Sequence, residues 1–207
     1  MNPEGLAKLA AHVDGLLDLQ LSLISRHELL QPIMRDAALI AKLASGSANV
    51  GFELLRHTLY WNLIQEIVKI SADMSSKHVP SVQSVMTTIS PKPTLQLLRD
   101  QYVRAHQSNW PVDESANFER QFDEIYARAS AATSKLLSSA TLPAYKTVRD
   151  ELLAHYQLNP VSGKYEPTQI APLNMKYGDE RELIVLINTI VADLNSLGRV
   201  FKMVEPA

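Results

Sequence analysis

Residues 113–139, DESANFERQFDEIYARASAATSKLLSS, decide the fold class. Phe118, Phe122, Ile125, Ala129, Ala132 and Leu136 recur at steps of four and three, with no Gly or Pro between them. That is the seam of a long helix packed in an antiparallel bundle. The same rhythm appears at both ends of the chain. Across residues 4–30 it is carried by Leu6, Leu9, Val13, Leu16 and Leu23, and towards the C-terminus by Leu183, Ile187, Ile190, Leu194, Leu197 and Phe201. Asp179, followed three residues later by Glu182, has the form of a capping box opening that last helix.

Proline and glycine divide the remainder. Gln31-Pro32 is expected to end the first helix, with Pro32 opening a second that runs to about Ser45, ahead of Gly46. Residues 47–75 are apolar on more than one side (Phe52, Leu54, Leu55, Tyr60, Trp61, Ile64, Ile67), which predicts a central, least exposed helix. Pro80, Pro91 and Pro93 imply a loop holding one short helix over Val82–Ile89, and a helix follows over 94–106 until Asn109-Trp110-Pro111. Thr141-Leu142-Pro143 can cap a helix through Tyr145, Val148, Leu152 and Tyr156. Residues 159–177, with Pro160, Gly163, Pro167 and Pro172, read as loop, and no β-branched alternation marks a strand. The expected architecture is all-α: a single domain over residues 1–207, an up-and-down bundle of long helices with one or two short extra ones.

Composition narrows the chemistry. The 207 residues are 46% hydrophobic and 20% charged, as in ordinary globular proteins, and contain no cysteine. Thiolate nucleophiles, disulfides and cysteine-held metals are excluded. The N-terminus lacks the basic-then-apolar pattern of a leader, and no apolar run reaches the roughly 18 residues of a membrane span. A cytoplasmic location without membrane contact is expected. A formal charge of -2 gives no overall attraction to nucleic acid, so DNA is not an expected partner and any RNA site must be local. The seven scattered glycines form neither GxGxxG nor a P-loop, and neither HExxH, a pair of Glu-x-x-His motifs nor GxSxG occurs. No metal or cofactor is expected. His57, in step with Val50, Leu54, Trp61 and Ile64, reads as a hydrogen-bonded core or interface residue, and His12, His27 and His78 have no partner visible in the sequence.

What remains is VRDELLAHY, residues 148–156. At about 100° per residue in an α-helix, Arg149 and His155 flank Leu152 and border its buried face. An arginine and an imidazole on one seam can converge on a phosphate, the histidine moving protons and the arginine stabilising developing charge. Spacing alone is not specific: ten arginines and six histidines in this chain give about one such pair by chance. A second pair does occur, Arg99…His106 in LRDQYVRAH. The alternative for Arg149 and His155 is a snorkelling arginine beside Asp150 and a half-buried histidine near a helix end.

VRDELLAHY also resembles the R-[DN]-x-x-x-A-H helix of HEPN domains, in particular their abortive-infection U-type (AbiU-like) branch. The likeness extends through IVKISADMSS with Asp73, the short SVQSVMTTI helix and the final helix opening at KYGDERELIVLINTIV, from about residue 15 to 203. The resemblance implies a helical bundle that dimerises through the Arg…His helices and, in many members, a metal-independent ribonuclease of defence or toxin–antitoxin systems. It carries Arg149 and His155 over as catalytic residues, with Asp150 in support. RNA, a second copy of the chain and a cognate protein are the partners it implies. HEPN proteins also include inactive members and modules that bind nucleotides or proteins, so a non-catalytic interaction or regulatory role stands beside the ribonuclease.

Overall fold

The computed structural model describes residues 3–44, 49–72, 78–107, 113–154, 158–161, 164–167 and 173–198. Gly46, Asp73, Asn109-Trp110-Pro111, His155, Tyr156, Pro172 and Phe201 lie outside them. The protein is all-α and bundle-like, as the apolar periodicity predicts, with α1 (Pro3–Arg35), α2 (Ala37–Ala44), α3 (Asn49–Ala72), α4 (Val82–Ile89), α5 (Lys92–Gln107), α6 (Ser115–Leu137), α7 (Thr141–Thr147) and α8 (Glu180–Gly198). A π-helix, Val148–Ala154, continues α7 directly.

The chain divides into two compact units. The first comprises residues 1–20, 70–137 and 185–207. In it α5 packs on α6, and α4 contacts both. Leu6, Leu9, Val13 and Leu16 are buried as the periodicity requires, as are Ile187, Ile190, Leu194 and Leu197. The α6 seam is Phe118, Phe122, Ala129, Thr133 and Leu136, turned slightly from the expected one, since Ile125 and Ala132 are half-buried. Tyr102 meets Phe122 edge-on at 5.7 Å and stacks on His106 at 4.1 Å. The Val82–Ile89 helix forms as expected, with a capping box the sequence reading did not single out: Ser81 and Ser84 exchange side-chain and backbone bonds at 3.1 Å. Asp193, buried in the middle of α8, is held by the Arg128 guanidinium at 2.9 Å, which supplies the counter-charge its burial demands.

The second unit comprises residues 21–69 and 138–184. Leu23, Leu30, Leu63, Ile64, Ile67, Tyr145 and Val148 form its core. Three expectations are corrected here. Pro32 lies inside α1, and the break comes four residues later, at Asp36. The Asp36 carboxylate accepts the Ala38 and Leu39 N–H groups at 3.0 Å, capping α2, whereas Pro32 is exposed and α1 runs through it despite the missing N–H and the crowding of its ring against the preceding turn. Next, α3 is not buried along its length: Val50 is 80% and Leu54 66% exposed, because its N-terminal half presents an apolar face to solvent.

The third correction falls on the stretch read as loop, where Leu158–Val161 (β1) and Lys164–Pro167 (β2) pair antiparallel, Val161 opposite Lys164 and Pro160 opposite Tyr165. Two residues separate the strands, so Val161 and Lys164 form the hydrogen-bonded closing pair and the pairing alternates from there. Both prolines, Pro160 and Pro167, then occupy non-hydrogen-bonded positions, where a missing N–H costs nothing.

Candidate functional site

The helix leading to Arg149 begins without a side-chain cap on its first residue: Ala140 is the N-cap, and Ser139 Oγ, rather than Thr141, accepts a bond from the Thr141 N–H at 3.3 Å. Pro143 sits in the first turn, where no N–H is required. Leu142, Tyr145 and Val148 are buried and anchor the helix. At Val148 the N–H reaches both the Ala144 and Tyr145 carbonyls, and the chain widens into the π-helix. Wide turns of this kind are rare and concentrate at functional sites.

The widening changes the geometry expected for the motif. A bond pattern of i→i+5 rotates each residue by less than the α-helical 100°, so the α-helical placement of Arg149 relative to Leu152 does not hold over Val148–Ala154. His155 and the side chain of Leu152 lie outside the described residues. Arg149 is partly shielded, its side chain 22% exposed, and its Nε donates to Asp150 Oδ1 at 2.6 Å. Asp150 is 48% exposed, and its charge fixes the plane of the neighbouring guanidinium. Lys146 and Glu151 flank the pair along the chain.

The other Arg…His match is structural. Arg99 pairs with Asp123 at 2.8 Å and Glu119 at 3.3 Å, and His106 bonds the Tyr102 carbonyl at 2.8 Å between two aromatic rings. His27, which showed no partner in the sequence, bonds Gln31 at 2.8 Å and lies 3.9 Å from the buried Glu180. Burial and the nearby Lys8 and His78 hold the His12 imidazole below its usual range. His57, read as a core or interface residue, is exposed on α3, so it is not part of the core.

A feature not anticipated from the sequence supports the helix from behind. The Tyr145 hydroxyl lies 3.4 Å from that of Tyr60, which donates to the Lys176 carbonyl at 3.4 Å. Burial raises the Tyr60 phenol to about 12, and burial together with the Tyr60 contact raises that of Tyr145 further. The segment supplying Lys176 turns into α8 through paired backbone and carboxylate bonds. The Asp179 N–H goes to the Lys176 carbonyl, the Asp179 carboxylate accepts the Lys176 N–H at 2.8 Å, and Glu180 accepts the Gly178 N–H at 2.7 Å. Gly178 has φ +108°, a conformation that favours glycine.

Among the described residues no cluster of three or more His, Asp or Glu could hold a metal, and no helix is long and apolar enough to cross a membrane. No curated protein and no solved structure matches the chain. The family description HEPN_AbiU2 (AbiU2) matches residues 6–203, a span that includes Asp73, Arg149, Asp150 and His155. The chain therefore belongs to the AbiU2 family of HEPN domains.

Proposed function

We propose that this chain is a metal-independent ribonuclease of abortive-infection defence, working as a homodimer paired through its Arg149–His155 helices. The observation that carries the reading is that Arg149, held by Asp150 on a π-helical turn, falls within a HEPN family match that also contains His155. His155, with a reference pKa of about 6.5, takes the 2′-hydroxyl proton. The 2′-oxygen attacks the adjacent phosphorus, the bond from phosphorus to the 5′-oxygen breaks, the 5′-oxygen takes the proton back from the imidazolium, and a 2′,3′-cyclic phosphate remains. Arg149 stabilises the charge that builds on the phosphate oxygens. No step needs a metal or cofactor.

The test is RNA cleavage in EDTA by the wild type, His155→Ala and Arg149→Ala. Cleavage leaving 2′,3′-cyclic ends, and falling at least about a hundredfold in either folded variant, is expected. Equal inertness of all three towards several RNAs at low salt would end the catalytic reading. A second reading, a non-catalytic module binding a cognate protein, draws on the partly shielded, ion-paired state of Arg149 and on the outward-facing Val50 and Leu54. Inert but folded wild-type protein moves the assignment there. Val50→Glu and Leu54→Glu would then weaken binding of the cognate protein in calorimetry, and unchanged affinity would end that reading too.

A further inference from the structure

His57, Tyr60 and Trp61 on α3, with Met175, Lys176 and Tyr177 ahead of α8, line a hollow of about 480 Å³. That volume is typical of small-ligand sites. Tyr60 is buried at its back, fixed by its hydroxyl contacts to Tyr145 and the Lys176 carbonyl. Trp61 lies 5.6 Å from Tyr60, and Tyr177 4.5 Å from it at 61°, so two further rings stand around a rigid third. Tyr177 remains 47% exposed.

The titratable side chains that line this hollow, apart from its tyrosines, are Lys176 and His57, with the carboxylates of Glu53, Asp179 and Glu180 close behind. The neighbouring acids are committed: Glu53 to Arg56 at 2.7 Å, Asp179 to the Lys176 N–H and Glu180 to the Gly178 N–H. Lys176 and His57 form no ion pair with any described residue. Aromatic walls select a flat ring, and an ammonium with an imidazole at the rim selects an anion attached to it.

We infer that this hollow takes one nucleotide of single-stranded RNA, its base stacked against Trp61 and Tyr177 and its phosphate beside Lys176 and His57. The choice of RNA as ligand rests on the ribonuclease reading; the selection of a flat, anionic ligand rests on the hollow alone. Through the Tyr60–Tyr145 contact the back wall is joined to the helix that leads into Arg149. A base bound here thus anchors the strand on the same unit as Arg149.

The chain has two tryptophans, so Trp110→Phe leaves Trp61 as the sole indole reporter. The probe is a 2′-O-methyl oligoadenylate of about eight nucleotides, which cannot be cut by 2′-oxygen attack. Binding is read from Trp61 quenching and, with the unaltered chain, from anisotropy of the labelled probe. Saturable quenching by the probe, and little by an abasic strand of equal length, is expected. Tyr177→Ala should weaken binding about tenfold and Tyr177→Phe hardly at all, as stacking requires. Lys176→Gln should lower the slope of log affinity against log salt by about 0.7, one phosphate contact. Equal binding of the abasic strand, an unchanged affinity in Tyr177→Ala, or saturation by a tyrosine-rich peptide but by no RNA would overturn the inference. Because the probe is uncleavable, binding by a chain that cleaves nothing removes only the ribonuclease reading. Cleavage indifferent to Tyr177 and Lys176 removes only this one.

Discussion

At the residue scale, the two buried phenols make a prediction independent of catalysis. Tyr60 and Tyr145 ionise in the unfolded chain near their ordinary value of 10.0, but only at higher pH when folded, because burial penalises the phenolate. The folded state therefore holds more protons above pH 10, and the stabilisation, whole below that pH, is lost as pH rises towards 12. The unfolding free energy, read from denaturant titrations, should fall between pH 10 and 11.5 by up to about 1.4 kcal/mol per pH unit for each such tyrosine. Tyr60→Phe should flatten that slope measurably, and an unchanged slope would mean that Tyr60 titrates normally. None of this was legible in the sequence. Tyr60 and Tyr145 are 85 positions apart, and nothing in the local pattern brings their hydroxyls together.

At the element scale, the break between α1 and α2 separates two accounts. If Pro32 set it, replacing Pro32 would merge the helices. If Asp36 sets it through its bonds to Ala38 and Leu39, then Asp36→Ala should cost about 1 kcal/mol. Pro32→Ala should instead raise stability by about 1 kcal/mol or more, by restoring an interior hydrogen bond. Urea titration of both variants checks the opposite signs; destabilisation by Pro32→Ala would contradict the capping account. The long helices were readable because each buries a stripe whose period is set by backbone geometry: Leu183, Ile187, Ile190, Leu194 and Leu197 are all buried in α8. The π-helix was not readable, since VRDELLAHY suits an α-helix by propensity and only the surrounding packing decides where a turn widens.

At the scale of the whole molecule, the ribonuclease reading includes a pair of chains. Light scattering should give a mass about twice 23.0 kDa, and a charge reversal on the pairing helix, Lys146→Glu, should shift it towards the monomer. A wild type that stays monomeric at assay concentration while still cleaving RNA would sink the paired arrangement but not the chemistry. With a formal charge of -2 there is no net attraction to RNA, so under the ribonuclease reading the affinity is expected from local groups such as Arg149 and Lys176.

By itself the sequence determined the all-α class, the extents of most helices and, through VRDELLAHY and its flanking passages, the HEPN family. These follow from local rules, namely periodic burial, breakers, caps and the order of motifs along one chain. Only the tertiary structure decided that Arg99 and His106 are spent on packing, that Arg149 leans on Asp150 from a π-helix, and that His57 faces solvent. The hollow formed by Trp61, Lys176 and Tyr177 belongs with these. Its walls lie more than a hundred residues apart in the chain, and a site of that kind is specified by which surfaces pack together, a property no single stretch of sequence contains.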